Sequence, residues 1–261
     1  MKLFFRKLGE GQPLIILHGV FGMGDNWMTL AKEFAANNFC VYVVDARNHG
    51  RSPHADEFSF EAMAADIFEL MNDDAGLIGR AASFIGHSMG GKTAMLFSML
   101  HPDRVKNLIV VDIVPRAYPS ANQNVIAALK SIDLNTVSAR KEVEEKLRTD
   151  LKGDEATVQF LLKSLYWKEG NAQKLAWRFN VNAIAKNINT GDALQKDDVF
   201  TGPTLFIRGE KSSFITDEDE PLIKKHFPNA EIVTIPNAGH WVHANKPKEF
   251  MDTVLAFQNK G

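Results

Sequence analysis

A strand, a sharp turn and a helix follow one another around residue 88, and this arrangement constrains the fold more than any other stretch. A short apolar run at 81–85 leads into Gly-His-Ser-Met-Gly at 86–90, and apolar residues at helical spacing begin at Ala94. Glycines two residues to either side of a serine leave room for the neighbouring backbone, so the serine occupies a strained turn with its hydroxyl above the sheet. The N–H groups that begin the next helix favour negative charge at the same point. Ser88 is therefore a candidate nucleophile.

The same segment also matches a phosphate-binding pattern. Residues 86–93 fit Gly-x-x-x-x-Gly-Lys-Thr, in which backbone N–H groups surround phosphates and the lysine, here Lys92, reaches the terminal ones. A later apolar run that ends in Asp112 resembles the strand whose acid binds magnesium in such proteins. The segment alone is compatible with a serine hydrolase, with a P-loop nucleotide hydrolase, and with an ordinary glycine turn.

The bulk composition fits one α/β domain with an insertion. A chain of 261 residues is long enough to bury a full core, and its formal net charge of -2 offers no basic surplus for nucleic acid. The single cysteine, Cys40, excludes an internal disulfide and a cysteine-rich metal site. No apolar run approaches the roughly 18 residues of a membrane span, and the first residues are charged too early for a signal peptide. We therefore expect a cytoplasmic protein.

The apolar runs predict a mostly parallel sheet with helices on both faces, because strand-like runs alternate with helical patterns. Ser59 is predicted to cap one of these helices, and the Thr-x-x-Asp spacing at 216–219 predicts a second cap. Ligands of such sheets bind beyond the carboxyl ends of the strands, where His18, Ser88 and Asp112 all fall. The strand-like runs are 2–8, 13–17, 39–44, 81–85, 105–111, 204–207 and 231–235.

The pattern changes between residues 113 and 200, where no strand-like run appears. Helical periods in this stretch predict three to five helices, so we expect an α/β core of 1–112 and 201–261 and a helical cap of 113–200. One or two of the aromatic residues in the cap are expected to line a pocket. The periods are Val125/Ile126/Leu129, Val143/Leu147/Leu151, Phe160/Leu161/Leu165 and Leu175/Phe179, and the aromatic candidates are Tyr166, Trp167, Trp177 and Phe179.

A serine hydroxyl becomes a good nucleophile only when a base takes its proton, and the base needs an acid to hold its tautomer. His240 lies in the loop after the last predicted strand. Ser88, Asp112 and His240 follow the chain order serine, acid, histidine that is typical of such sheets. Other candidates remain for both partners: His243 for the base, and Asp217 or Asp219 for the acid.

Two backbone N–H groups are candidates for an oxyanion hole. Val20 lies in a glycine-rich bend at 18–22 after the second strand, and Met89 directly follows the serine. A P-loop protein has no use for this bend or for a histidine at position 240, so both features favour the serine hydrolase. Lys92 is then an early helix residue with a solvated amine.

Six blocks of sequence resemble the YbfF-type branch of the α/β-hydrolase superfamily. They lie at 18–22, 45–50, 86–92, 111–115, 177–181 and 239–244, so they span nearly the whole chain. The resemblance implies an eight-stranded, mostly parallel sheet with a helical cap. It also implies esterase or thioesterase activity on small acyl substrates, acyl-CoA among them, without a metal or organic cofactor.

The sequence departs from many superfamily members at the acid. They carry an aspartate after the next-to-last strand in a pattern Gly-x-x-Asp, whereas residues 209–212 read Gly-Glu-Lys-Ser. In the resembling branch the acid follows the strand after the nucleophile helix, which matches Asp112. A perhydrolase or a ligand receptor with the same three residues stays possible, because a fold does not determine a function. Oligomeric state, acyl chain length and natural substrate stay open.

Overall fold

The computed structural model describes residues 1–118, 122–168, 170, 174–187, 194 and 197–260. These residues contain nine β-strands, which we number in chain order: β1 (Phe5–Leu8), β2 (Gln12–Leu17), β3 (Phe39–Val44), β4 (Ala82–His87), β5 (Val105–Val111), β6 (Leu165–Trp167), β7 (Leu175–Trp177), β8 (Thr204–Gly209) and β9 (Ala230–Ile235).

Ten α-helices lie in the same described ranges, together with short 3-10 helices at Gly24–Trp27, Pro102–Arg104 and Asp217–Asp219. The α-helices are α1 (Met28–Ala36), α2 (Phe60–Asp73), α3 (Met89–Leu100), α4 (Gln123–Ser131), α5 (Arg140–Asp150), α6 (Glu155–Leu162), α7 (Val181–Asn187), α8 (Glu220–His226), α9 (Val242–Asn245) and α10 (Pro247–Gln258).

The central sheet has the strand order β1-β3-β2-β4-β5-β8-β9. Its pairs are parallel except for β1, which runs antiparallel to β3. The predicted fold class is confirmed, but the sheet has seven strands in the described residues instead of the eight that the family resemblance implied. These seven strands correspond to the seven strand-like runs of the sequence.

Helices cover both faces of the sheet, and the strands show this by their alternation. Leu14 and Ile16 of β2 pack with α1 and α10, whereas Ile15 and Leu17 pack with α2, α3 and α8. Successive side chains of a strand point to opposite faces, so a strand buried on both faces is apolar throughout. This burial explains why the core strands were readable as continuous apolar runs.

The stretch between β5 and β8 contains α4 to α7 and a small antiparallel hairpin of β6 and β7. The prediction of no strand here is therefore wrong, and so is the helix at Leu175/Phe179, because Leu175 belongs to β7. Two apolar residues four positions apart fit a helical period and an alternating strand equally well. The predicted helices around 125–129 and 143–151 are confirmed as α4 and α5. The division into core and cap at 113 and 200 stays a prediction.

Buried side chains of this stretch pack against residues that surround Ser88. One cluster joins Val143, Leu147 and Leu161 to Phe21 and Met89. The helices therefore lie over the carboxyl edge of the sheet, where β2, β4 and β5 end. Across the described chain, every helix is too short or too polar to span a lipid bilayer.

Candidate active site

Ser88 forms the whole turn between β4 and α3, because the strand ends at residue 87 and the helix begins at residue 89. Its backbone has φ 52° and ψ −114°, a strained conformation for a residue with a side chain. A Cβ on Gly86 would lie 2.4 Å from the Gly90 oxygen, and one on Gly90 would lie 2.3 Å from the Leu17 oxygen. Both neighbouring positions therefore require glycine, as the pattern predicted.

The phosphate-binding interpretation does not fit this geometry. Gly90, Gly91 and Lys92 lie inside the first turn of α3, so no loop separates strand and helix to surround a phosphate. Lys92 is also only 5% exposed. Its amine donates to the Arg116 carbonyl oxygen at 2.6 Å and lies 5.1 Å from the Tyr118 ring centre. The expected solvated amine is wrong, because the residues that follow β5 cover this side of α3.

Replacing Lys92 with methionine tests this structural role. Methionine keeps an unbranched apolar chain but removes the donor, which leaves the Arg116 carbonyl with one partner fewer. We expect a loss of about 1–3 kcal/mol in the free energy of unfolding, measured by urea titration. Lys106→Met, at an exposed position of β5, is the matched control and should change little. Nucleotide binding by the wild-type protein that is lost in Lys92→Met would contradict this interpretation.

Asp112 follows the last residue of β5, is fully buried, and has a positive φ of 52°. Its Oδ1 accepts the Gly209 N–H at 3.0 Å, and its Oδ2 accepts the Nδ1–H of His240 at 2.8 Å. The second bond fixes the imidazole tautomer, which leaves Nε2 as the proton acceptor. The structure thus brings together two predicted residues that are 128 positions apart.

Ser212 completes the surroundings of this carboxylate, and the sequence analysis missed it. Its hydroxyl donates to Oδ2 of Asp112. Ser212 lies in the stretch after β8 where many superfamily members carry a catalytic aspartate. In this protein that stretch instead contributes a hydroxyl that bonds to Asp112. The departure at 209–212 was a signal for this contact. A serine in place of the aspartate at position 212, together with an aspartate at 112 after the neighbouring strand, suggests that residues 112 and 212 lie close together.

The alternative acids have other partners. Asp219 pairs with Arg116 at 2.8 Å and accepts the N–H and hydroxyl of Thr216, as the predicted capping arrangement requires. Asp217 pairs with Arg208 at 2.6 Å, and its side chain is 92% exposed. Neither carboxylate therefore occupies the position that Asp112 has beside His240.

The bend at 18–22 passes directly beside the serine. A Cβ on Gly19 would lie 3.4 Å from the Cβ of Ser88, so the Gly19–Val20 peptide is adjacent to the hydroxyl. His49 holds this bend by accepting the N–H of Phe21 at 3.2 Å. Met89 begins α3 next to the serine. The N–H groups of Val20 and Met89 thus belong to the two backbone segments that meet at Ser88.

A cavity of about 300 Å³ contains Ser88, Val20 and His240 in its wall. Seven of the other sixteen wall residues are apolar or aromatic. One of them, Phe214, stacks on His240 with 3.9 Å between the ring centres. A cavity that combines apolar side chains with polar groups is typical of small-molecule sites. The apolar and aromatic wall residues are Phe21, Trp27, Val125, Phe160, Leu161, Phe214 and Trp241.

The aromatic residues predicted to line a pocket do not form this wall in the described part of the chain. Trp177 stacks on Phe179 at 5.3 Å, and Tyr166 lies beneath the Arg178 guanidinium at 4.2 Å. Phe179 also contacts Phe21, with 5.2 Å between the ring centres. Phe160 of α6 and Trp241 form the cavity wall instead.

His243, the alternative base, is a buried packing residue. Its ring stacks on Trp27 with 3.9 Å between centres, and its Nδ1 has no hydrogen-bond partner among the described residues. Burial, with smaller contributions from His240 and Lys163, lowers its pKa from 6.5 to about 3. A ring that stays neutral and unpaired in this way serves packing better than proton transfer.

The low pKa of His243 predicts a loss of stability in acid. The unfolded chain takes up a proton near pH 6.5 whereas the folded chain does not, so stability is full above that pH and falls as pH drops toward 3. For one histidine the slope is about 1.4 kcal/mol per pH unit. His243→Phe keeps the stack on Trp27, and between pH 8 and pH 5 it should lose about 2 kcal/mol less than wild type in urea titrations. Equal losses of unfolding free energy in His243→Phe and wild type would contradict the low pKa of His243.

The fold and the geometry at Ser88 define a protein of the α/β class with a strained strand–serine–helix turn at the carboxyl edge of a mostly parallel sheet. The profile of the alpha/beta hydrolase fold family matches residues 12–247, and the chain belongs to this family. This membership confirms the resemblance that the six blocks of sequence indicated.

Several relatives are similar over most of the chain. The sn-1-specific diacylglycerol lipase ABHD11 of Danio rerio is 38% identical over 97% of this chain and 80% of its own length. Esterase YbfF of Escherichia coli strain K12 is 34% identical over 96% of this chain and 94% of its own. The solved structure of a marine microorganism esterase is 47% identical, covers 98% of this chain and 99% of its own, and superposes with a TM-score of 0.92.

Proposed function

We propose that this protein is a serine hydrolase that cleaves carboxylic esters, with Ser88 as nucleophile, His240 as base and Asp112 as acid. The hydrogen bond from His240 to the buried Asp112 carries this proposal, because His240 shares the wall of one cavity with Ser88. Family membership and the esterase and lipase relatives support the same activity.

The proposed reaction has two halves. The Ser88 hydroxyl attacks the ester carbonyl while His240 Nε2 takes its proton, and Asp112 stabilises the imidazolium. The N–H groups of Val20 and Met89 bind the oxyanion, and His240 then protonates the departing alcohol. Water attacks the acyl-enzyme with the same base, which releases the acid and restores the serine.

Two donors outside the three reacting residues support this role for Asp112. The Gly209 N–H and the Ser212 hydroxyl both bond to its carboxylate, so the oxygen that faces His240 has a defined position. Because the Asp112 carboxylate is already fixed, little conformational entropy is lost when His240 becomes charged beside it. The carboxylate is thereby prepared for an imidazolium.

The size and wall of the cavity indicate which substrates fit. Its volume of about 300 Å³ lies at the lower end of the range for small-molecule sites, and apolar or aromatic side chains form part of its wall. We therefore propose acyl groups of short to medium length. Thioesters, acyl-CoA among them, would follow the same chemistry, and we propose them as further substrates of the same serine.

A panel of substrates and a covalent probe test the proposal. Esters of p-nitrophenol with two to sixteen acyl carbons, and CoA thioesters of the same acids, measure both chain length and leaving group. A fluorophosphonate probe should label Ser88 in the intact protein, as peptide mass spectrometry would show. Labelling without turnover of any ester would favour the ligand receptor, and failure of both labelling and turnover would refute the hydrolase.

A further inference from the structure

His87, the residue before the nucleophile, contacts other parts of the proposed site that come from distant positions in the chain. We propose that it is a positioning residue that holds the loop of His240 in place for proton transfer. This inference rests on the proposed function, because it assigns His87 a task within the same reaction.

The main contact is a hydrogen bond across 153 residues of sequence. The Nε2–H of His87 donates to the backbone carbonyl oxygen of His240 at 3.0 Å. The two rings lie 4.7 Å apart between centres. On its other side, the His240 loop is held by Asn245, whose Oδ1 accepts the Gly239 N–H at 2.9 Å. The base is therefore anchored from both sides, and one anchor belongs to the strand that carries the nucleophile.

A second contact joins His87 to the bend that supplies the Val20 N–H. A Cβ on Gly19 would lie 2.8 Å from Nδ1 of His87, so the backbone of the bend rests against this edge of the ring. His87 is 3% exposed and also forms part of the cavity wall. The backbone of His87 is fixed by β4. Its ring therefore sets the distance of both the 18–22 bend and the His240 loop from Ser88.

The charge state of the ring suits this task. Burial, with smaller contributions from His240, His243 and His18, holds the pKa of His87 well below its usual value. The ring is therefore neutral, with its proton on Nε2 toward the His240 carbonyl. A neutral ring adds no repulsion when His240 becomes an imidazolium 4.7 Å away.

Three variants test the inference. His87→Phe keeps an aromatic ring but removes the donor, whereas His87→Gln offers an amide N–H at a similar reach. His226→Phe is the matched control, because His226 is also buried and its Nδ1 lies 2.7 Å from a carbonyl oxygen, that of Asp198, away from the site. All three are assayed with p-nitrophenyl acetate, and their folding is checked by thermal melting.

We expect His87→Phe to lower kcat about 10- to 100-fold with KM within about twofold, because a small displacement of a base has effects of this size. His87→Gln should restore most of the activity, and the acid limb of the kcat/KM profile should shift in the phenylalanine variant but not in the control. Normal kcat in His87→Phe, or no recovery with glutamine, would overturn the inference. If His87→Phe does not fold, His87→Met replaces it in the same comparison.

These outcomes are separate from those of the proposed function. A protein that is active with Ser88 and inactive without it, but indifferent to His87, is a hydrolase whose base is held by other contacts. Activity that persists without Ser88 refutes the hydrolase, whatever the His87 variants show.

Discussion

Replacing Ser88 with alanine should abolish ester hydrolysis, with a loss of about 10⁵- to 10⁶-fold in kcat. Alanine removes the only hydroxyl that the strained turn presents to the cavity wall beside His240, so no acyl-enzyme can form. The Cβ is retained, and the turn conformation with φ 52° should persist. The rate of p-nitrophenyl acetate hydrolysis and the loss of fluorophosphonate labelling measure the effect.

Ser98→Ala is the matched control for this variant. Ser98 lies on α3, the helix that follows Ser88. It is fully buried, and its hydroxyl donates to the Met95 carbonyl oxygen at 2.7 Å. We expect a small loss of stability and unchanged kcat. If Ser88→Ala keeps most of the wild-type rate, the nucleophile assignment is wrong, and the phosphate-binding and receptor interpretations must be considered again.

Replacing Asp112 with asparagine is expected to reduce kcat about 10⁴-fold, the second largest effect. An amide in this position can donate to Nδ1 of His240, which would move the imidazole proton to Nε2 and remove the acceptor that the serine needs. An amide nitrogen that faces His240 would also face the Ser212 hydroxyl, which now donates to that oxygen, whereas the amide oxygen could still accept the Gly209 N–H. The effect should fall on kcat at every pH where wild type is active.

Asp219→Asn and Asp217→Asn control for the choice of acid. Asp219 pairs with Arg116 and Asp217 with Arg208, so these changes should alter local stability and leave kcat within a few-fold of wild type. A near-normal rate in Asp112→Asn together with a large loss in either control would move the acid to the segment after β8.

Features that depend on neighbours in sequence were predictable. The turn at Ser88 requires glycines at fixed distances, and Ser59 caps α2 by accepting the Ala62 N–H at 3.1 Å, as expected. The capping arrangement of Thr216 and Asp219 is also present. Such interactions span three or four residues, so the sequence contains both partners within one short window.

The surroundings of the candidate site were not predictable in the same way. Ser212 reaches Asp112 across 100 residues, and His87 reaches the His240 carbonyl across 153. The buried position of Lys92 depends on a segment that begins more than twenty residues later. No periodicity or spacing encodes contacts between elements that meet only after the sheet has formed.

The sequence by itself determined the class of fold and the alternation of buried strands with helices. It also contained Ser88, Asp112 and His240 as candidates for the reaction, with His243, Asp217 and Asp219 still open as alternatives. The tertiary structure alone decided that Asp112, directly after β5, lies beside His240 and accepts the hydroxyl of Ser212 from the stretch after β8. It also decided that the β6–β7 segment forms a hairpin and which aromatic side chains face the cavity. Local sequence patterns predict backbone conformation and burial, because these two properties depend on the residues within one helix or strand. Partners across the sheet are set by strand order and packing, which a linear pattern does not contain.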